Sequence, residues 1–405
     1  MKQKTEIKLG IDILSAENFR RLRGLRVGAI VNASSVDGHF RHLADLLAKA
    51  PGVSLRALFA PEHGLAGAAA YMVPVADSHA ADNPGAQLPV YSLYGDDVAS
   101  LKPTPKQLEG LDALVFDIQD VGARYYTYVY TMALAMQAAA QAGLKFYVLD
   151  RPNPLGGMAV QGNLVQPGFE SFVGLYPLPN RHGMTTGELA LLFNRHFGIG
   201  CELEVVACEG WRRRHLWRET GLYFVPPSPN MPNVETALVY PGMCLLEGTQ
   251  LSEGRGTTLP FLQWGAPWVK GKQLAKALNA QKLPGVVFRP VHFIPGFDKH
   301  AGTPCEGVFL HITDEEAFLP WETGATCCWV AQQCFPQHFA FRTAPYEFVE
   351  NILAFDLLSG STQLRERMQT AKTWEALLQK TPEEEAQWQA FLSVRRRHLL
   401  HTEEG

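Results

Sequence analysis

The chain has 405 residues, a formal net charge of −4, 46% apolar residues and only 19% charged ones. That length points to two or three domains, two being the default. A slightly acidic chain without a Lys/Arg block has no electrostatic footprint for nucleic acid. No stretch approaches the roughly 18 uninterrupted apolar residues that a membrane-spanning helix needs.

The apolar content also excludes a disordered chain. The 36 glycines and 27 prolines imply many shaped loops, which suit an enzyme better than a scaffold. The basic run Arg212-Arg213-Arg214 is short and reads as a solvated loop. Seven cysteines, an odd number without a CxxC pair, argue against a disulfide framework and against a structural zinc site of the common spacing. Cys327-Cys328 lies in an apolar stretch and reads as buried thiols. The N-terminal stretch has lysines but no apolar core and no small-residue cleavage site, so the sequence as it stands favours the cytoplasm.

Strand and helix signals alternate along the first half. Residues 26–32 (RVGAIVN) read as a strand, 40–50 as a helix and 53–60 (VSLRALFA) as the next strand. Residues 105–109 are helix-like, 113–117 (ALVFD) strand, and 131–142 a helix rich in Ala, Met and Gln. A strand at 145–150 (KFYVLD), a helix at 186–197 and a strand at 204–207 follow. This alternation predicts an α/β fold with a Rossmann-like, doubly wound, mostly parallel sheet. Residues 208–262 read as long loops of the functional kind. The pattern restarts with a helix at 271–281, strands at 286–294 and 307–313, and helices to the end. The expected division is residues 1–264 for the sheet domain and 265–405 for a smaller α+β domain closing the cleft.

In such sheets ligands bind beyond the carboxyl ends of the strands. Polar residues cluster there: Asn32, Glu62-His63, Asp117-Gln119-Asp120 and Asp150-Arg151-Asn153. No GxGxxG follows the first strand and no GxxxxGK[ST] occurs, so a nucleotide would lack its phosphate cradle. Glu62 sits beside His63 on a glycine-terminated loop, a plausible acid or base position. The run FDIQDVGARYYTYVYTM (116–132) sets Asp117 and Asp120 before Arg124 and four tyrosines. Aromatic faces beside acids suit a sugar ring, which has hydroxyls and an apolar C–H face. The run LLEGTQLSEGRGTT (245–258) places Glu247, Ser252, Glu253 and Arg255 among three glycines and reads as a binding loop.

These stretches resemble the exo-β-N-acetylmuramidase (NamZ-like) family, glycoside hydrolases formerly grouped as a domain of unknown function. The resemblance runs through PEHG (61–64), LPVYSLYG (88–95), FDIQDVGARYYTY (116–128), LDRPNP (149–154) and GLYPLPNRHGMTTGEL (174–189). It continues through PPSPNMP (226–232), the 240–258 segment and KHAG (299–302), covering nearly the whole chain. It implies release of N-acetylmuramic acid from the non-reducing ends of peptidoglycan fragments, with Glu62 of PEHG as the catalytic acid. Two departures stand out. The family follows PEHG with a glycine-rich acidic stretch, whereas residues 65–75 here read LAGAAAYMVPV. The first-strand loop reads Asn32-Ala33-Ser34-Ser35 where the family has Asn followed by Thr-Gly.

Glycoside hydrolysis ordinarily uses two carboxyls across the scissile bond. Glu62 is the expected acid, and Asp120, Glu247 and Glu253 are the candidate partners. The lactyl carboxylate of muramic acid suits an Arg fork, for which Arg124, Arg151 and Arg255 are candidates, with His182 assisting. Tyr125, Tyr126 and Tyr128 are candidates to stack on the sugar. Asn32, His63, Gln119, Asn153, Asn230 and Ser252 complete the expected substrate contacts. The expected partners are peptidoglycan-derived disaccharides or muropeptides, with no nucleic acid, membrane, metal or organic cofactor. The alternative is an amino-sugar or muropeptide binding protein without catalysis, which the altered segment after PEHG favours. An amidase would want an activated Ser or Cys or a zinc site, and the chain has neither GxSxG nor HExxH.

Overall fold

The computed structural model describes residues 6–67, 77–79 and 88–401. Its larger sheet has seven strands in the order β3-β4-β2-β1-β5-β6-β7. They are β1 (Arg26–Val31), β2 (Ser54–Ala60), β3 (Ser78–His79), β4 (Pro89–Ser92), β5 (Ala113–Asp117), β6 (Lys145–Leu149) and β7 (Glu202–Val206). All pair in parallel except β3, which runs antiparallel to β4 on the edge. Strands β1 and β5 are buried almost end to end, as expected of a parallel sheet covered on both faces. Alternate residues feed opposite layers. Val27, Ala29 and Val31 pack with Ile11, Leu14 and Leu47, while Ile30, Leu114 and Phe116 pack towards helix Tyr128–Ala142. The chain steps outward in both directions from β1, so the switch point lies between β1 and β5.

The second sheet is antiparallel, in the order β8-β10-β9, with β8 (Gln263–Ala266), β9 (Val286–Phe293) and β10 (Cys305–Ile312). Helix Gly271–Asn279 packs on it through the Leu274, Ala275 and Leu278 face, and helix Pro320–Cys334 packs in turn on that helix. The core running from Ile30 and Phe59 to Val308 and Leu310 is continuous, so the two sheets share one apolar interior.

Several expectations change on contact with the structure. The 208–262 segment contains helix Val234–Met243, whose residues from Thr236 onward are all buried. A helix apolar on every side shows no amphipathic period, and its internal Pro241 reads as a breaker, so the sequence hid it. A cut at residue 265 falls inside β8, where Trp264 is fully buried. Helix Gly10–Ala16 and strands β3 and β4 went unforeseen, and helix Tyr128–Ala142 begins a turn before the expected 131. Arg213 is not a solvated loop residue. It is fully buried and donates to Glu188 Oε1 at 2.7 Å and to the Gly157 carbonyl. Of the altered 65–75 segment, residues 68–75 lie outside the described residues.

Candidate active site

Glu62 leaves the carboxyl end of β2 in a tight turn. The Gly64 N–H donates to the Pro61 carbonyl at 3.0 Å, and His63 and Gly64 both take left-handed backbone, at φ +70° and +77°. A non-glycine residue pays for that conformation, and such strain collects at functional sites. The turn holds Glu62 buried, its Oε2 accepting from Thr127 Oγ1 at 3.1 Å. His63 Nε2 lies 4.0 Å from Glu62 Oε1.

Helix Tyr128–Ala142 and the residues before it supply an aromatic wall. Tyr126 packs edge-on against Tyr128 at 4.9 Å and against Tyr240 at 5.9 Å, and Tyr240 meets Phe261 at 4.9 Å. Their hydroxyls are tied down: Tyr126 to Ser228 Oγ at 2.9 Å, Tyr128 to the Pro227 carbonyl at 2.9 Å, and Tyr125 to the Pro241 carbonyl. Tyr130 turns away and stacks on Phe193.

The opposite wall comes from the second half of the chain. Glu247 sits in the 3-10 turn Cys244–Gly248 that continues helix Val234–Met243. Its Oε1 pairs with Arg255 Nη1 at 2.8 Å and its Oε2 accepts from Tyr346 at 2.8 Å. Arg255 also reaches Glu253 Oε1 at 3.2 Å and lies 5.1 Å over the Phe261 ring. Burial alone would raise the Glu253 pKa, but Lys299 Nζ at 2.7 Å and Arg255 outweigh it and hold the group at about 2.

A third carboxyl was not foreseen. Glu347 stands in a turn in which it and Phe348 both have left-handed backbone, at φ +46° and +67°. It accepts from the Tyr94 hydroxyl at 3.2 Å. Burial, then the negative charges of Glu62 and Glu247, push its pKa well above the ordinary carboxyl range. The YEFV stretch around it has neither motif spacing nor glycine, so nothing in the sequence pointed to it. Phe261 and Tyr346 likewise lie outside the motifs, whereas Tyr94, Thr127 and Tyr240 lie inside them but were not singled out as site residues.

Glu62, His63, Tyr125, Tyr126, Tyr128, Asn230, Glu247, Arg255 and Glu347 thus line one cavity of about 40 Å³. That volume holds a few waters.

Other expected residues are held elsewhere. Arg124 is fully buried and donates to the carbonyls of Asn163, Leu178 and Leu358, so it has no fork to offer a substrate. Arg151 grips Asp117 through two hydrogen bonds of 2.5 and 2.9 Å. Asp120 accepts from the Gly122 N–H at 2.7 Å and lies 3.3 Å from His182 Nε2, a buried pair that stays outside the cavity wall. Asn32 closes its own loop through Ser34 and donates to the Pro227 carbonyl at 3.0 Å. Asn153 and Ser252 cap turns through the Leu155 and Gly254 N–H groups. Gln119 bonds the carbonyls of Asp120 and Pro152, and it lines a larger cleft of about 430 Å³ at the β1–β5 switch point. That cleft is the roomier one, yet its Asp12 and Asp37 already accept backbone N–H groups. The smaller cavity, not the larger cleft, brings together the paired carboxyls that glycoside hydrolysis ordinarily uses.

The family models described as exo-β-N-acetylmuramidase NamZ, N-terminal and C-terminal, match residues 27–235 and 238–400. The chain belongs to that family. The peptidoglycan β-N-acetylmuramidase NamZ of Bacillus subtilis (strain 168) is 42% identical over 98% of this chain and 92% of its own length. A DUF1343-family protein of Bacteroides fragilis superposes with a TM-score of 0.84 at 37% identity, covering 98% of this chain and 99% of that one. A second from the same organism gives 0.76 at 28% identity, covering 99% and 100%. The NamZ family is one of glycoside hydrolases, and the carboxyl cluster is where this member has the groups such chemistry needs.

Proposed function

We propose that this chain is an exo-acting glycoside hydrolase releasing N-acetylmuramic acid from the non-reducing ends of peptidoglycan fragments in cell-wall turnover. The observation that carries the reading is the convergence of Glu62, Glu247 and Glu347 with Arg255 against a tyrosine wall. Glu62 is the general acid: it protonates the leaving oxygen from its fixed place beyond β2. Glu247, oriented by Arg255 and Tyr346, is the partner carboxylate across the bond. Glu347 keeps its proton in the closed cavity and limits the negative charge facing Glu62. Arg255 is the one fork candidate on the wall, and it receives the lactyl carboxylate of muramic acid.

The test is turnover of a chromogenic β-N-acetylmuraminide beside the matching β-N-acetylglucosaminide. Release from the first alone, reduced at least about 100-fold in Glu62→Gln, is the expected result. Wild-type turnover in Glu62→Gln would remove the acid assignment. Binding of muramic acid without release from either compound would make the chain a binding protein on an enzyme's fold.

A further inference from the structure

A second cluster of reactive side chains lies outside the cavity. Asp150 follows β6, Cys208 follows β7, and His401 stands near the end of the described chain. Asp150 Oδ2 is 3.1 Å from His401 Nε2 and 3.6 Å from Cys208 Sγ, and Sγ is 3.4 Å from Nε2. We infer that Asp150 Oδ2, Cys208 Sγ and His401 Nε2 form a zinc site that clasps the C-terminal segment to the carboxyl edge of β6 and β7.

Hydrogen bonding alone serves this triangle poorly. The thiol and the imidazole Nε2 carry two hydrogens at most, enough for two of its three sides. A nucleophile relay is also excluded, because it needs the thiol and the carboxylate on opposite ring nitrogens, and here both face Nε2. A single cation satisfies all three atoms. With zinc–sulfur near 2.3 Å and zinc–nitrogen or oxygen near 2.0–2.1 Å, the edges of a tetrahedral site are about 3.3–3.6 Å, and the observed separations fall on or close to them. Thiolate, imidazole and carboxylate together select zinc over magnesium or calcium. Thiolate and carboxylate also balance its two charges in a buried place, with the Cys208 thiol proton released to water on binding.

Outer contacts orient Asp150 and His401, as metal sites require. Asp150 Oδ1 accepts from the Gly187 N–H at 2.8 Å. The N–H groups of Leu400 and His401 donate to Glu188 Oε1 at 2.9 and 3.3 Å, and Trp211 meets the His401 ring edge-on at 5.1 Å. The fourth position falls to water from the half-buried His401 side. Ligands 58 and 193 residues apart leave no spacing for a sequence motif to show.

The experiment uses the full chain, stripped with chelator and then equilibrated with zinc or with cobalt(II) at micromolar concentration. One metal per chain is expected, with a thiolate-to-cobalt charge-transfer band and a tetrahedral visible spectrum. Cys208→Ser and His401→Ala should each weaken binding by more than about 100-fold, and Cys201→Ser should leave it unchanged. Zinc should also slow tryptic cleavage at Arg395–Arg397 in the wild type but not in His401→Ala. His401 lies beyond helix Pro382–Arg396, outside the sheet and its core, so that variant tests the site even if Cys208→Ser misfolds. No binding at micromolar metal, binding retained in both ligand variants, or a cobalt spectrum without the thiolate band overturns the site.

Discussion

Arg124 and Arg255 carry the same guanidinium to opposite uses. Arg124 spends its donors on three backbone carbonyls in the core, and Arg255 gives its Nη1 to Glu247 on the cavity wall and to Glu253 behind it. Arg124→Ala takes the guanidinium donors from the Asn163 and Leu178 carbonyls, while the Leu358 carbonyl keeps Asn180 Nδ2 at 2.9 Å, a loss of about 3–5 kcal/mol by analogy with broken buried ion pairs and hydrogen bonds. It should appear as a lower melting temperature, with KM on the surviving folded protein unchanged. Arg255→Ala should instead raise KM for a muraminide far more than for the glucosaminide analogue lacking the lactyl group. Equal effects on both compounds would remove Arg255 as the reader of that carboxylate. Glu347 adds a pH signature. Its folded pKa lies above the unfolded value of about 4.3, so its contribution is intact below that pH and is lost as pH rises towards the raised value. Glu347→Gln has no proton to lose. Its melting temperature should match the wild type near about pH 4 and exceed it by roughly 1–3 °C near about pH 8. A difference that stays constant across that range would contradict a buried proton on Glu347.

At the scale of elements, the site depends on how closely two helices approach. Gly242 of helix Val234–Met243 faces Gly324 of helix Pro320–Cys334, and a Cβ on Gly242 would run into the Pro320 carbonyl oxygen. No flexible side chain is there to give way, so the backbones must part. Two residues beyond Gly242 the chain enters the turn that carries Glu247. Gly242→Ala should therefore cost about 1–3 kcal/mol as an overpacked contact and also lower kcat, by moving Glu247 relative to Glu62. A variant with lower stability and unchanged kcat would show that the helix pair does not position the carboxylate. The same helix marks the limit of what the sequence reveals. Parallel strands such as β1 and β5 announce themselves as short apolar runs between turns, and PEHG announces a polar turn at a strand end. Helix Val234–Met243 is apolar all round and carries a proline, so neither period nor composition separates it from a loop. The site divides in the same way. Glu62, Glu247 and Arg255 lie in glycine-punctuated motifs, where special backbone geometry leaves a trace in composition. Glu347 lies in a turn built without glycine, and Arg124 stands in an equally polar motif whose burial only the fold discloses.

Over the whole molecule, the apolar interior does not stop between the two sheets. It runs from Ile30 and Phe59 through Tyr240 and Met243 to Val308 and Leu310. Glu62 comes from the carboxyl end of β2 in the first sheet, and Glu247 and Glu347 come from chain beyond that sheet, so the cavity exists only where the halves meet. Halves that share a core gain little by unfolding separately, because parting them exposes as much apolar surface as unfolding either one. The intact chain should unfold in a single calorimetric transition whose van't Hoff and calorimetric enthalpies agree. A fragment of residues 1–264 keeps the seven strands of the larger sheet but cuts β8 and strips helix Val234–Met243 of the helix at Pro320–Cys334. It should therefore lack a cooperative melt and bind apolar dyes. If that fragment instead melts cooperatively, or the intact chain shows two separate transitions, the sheets are independent folding units, and the cavity is an interface between them rather than part of a common core.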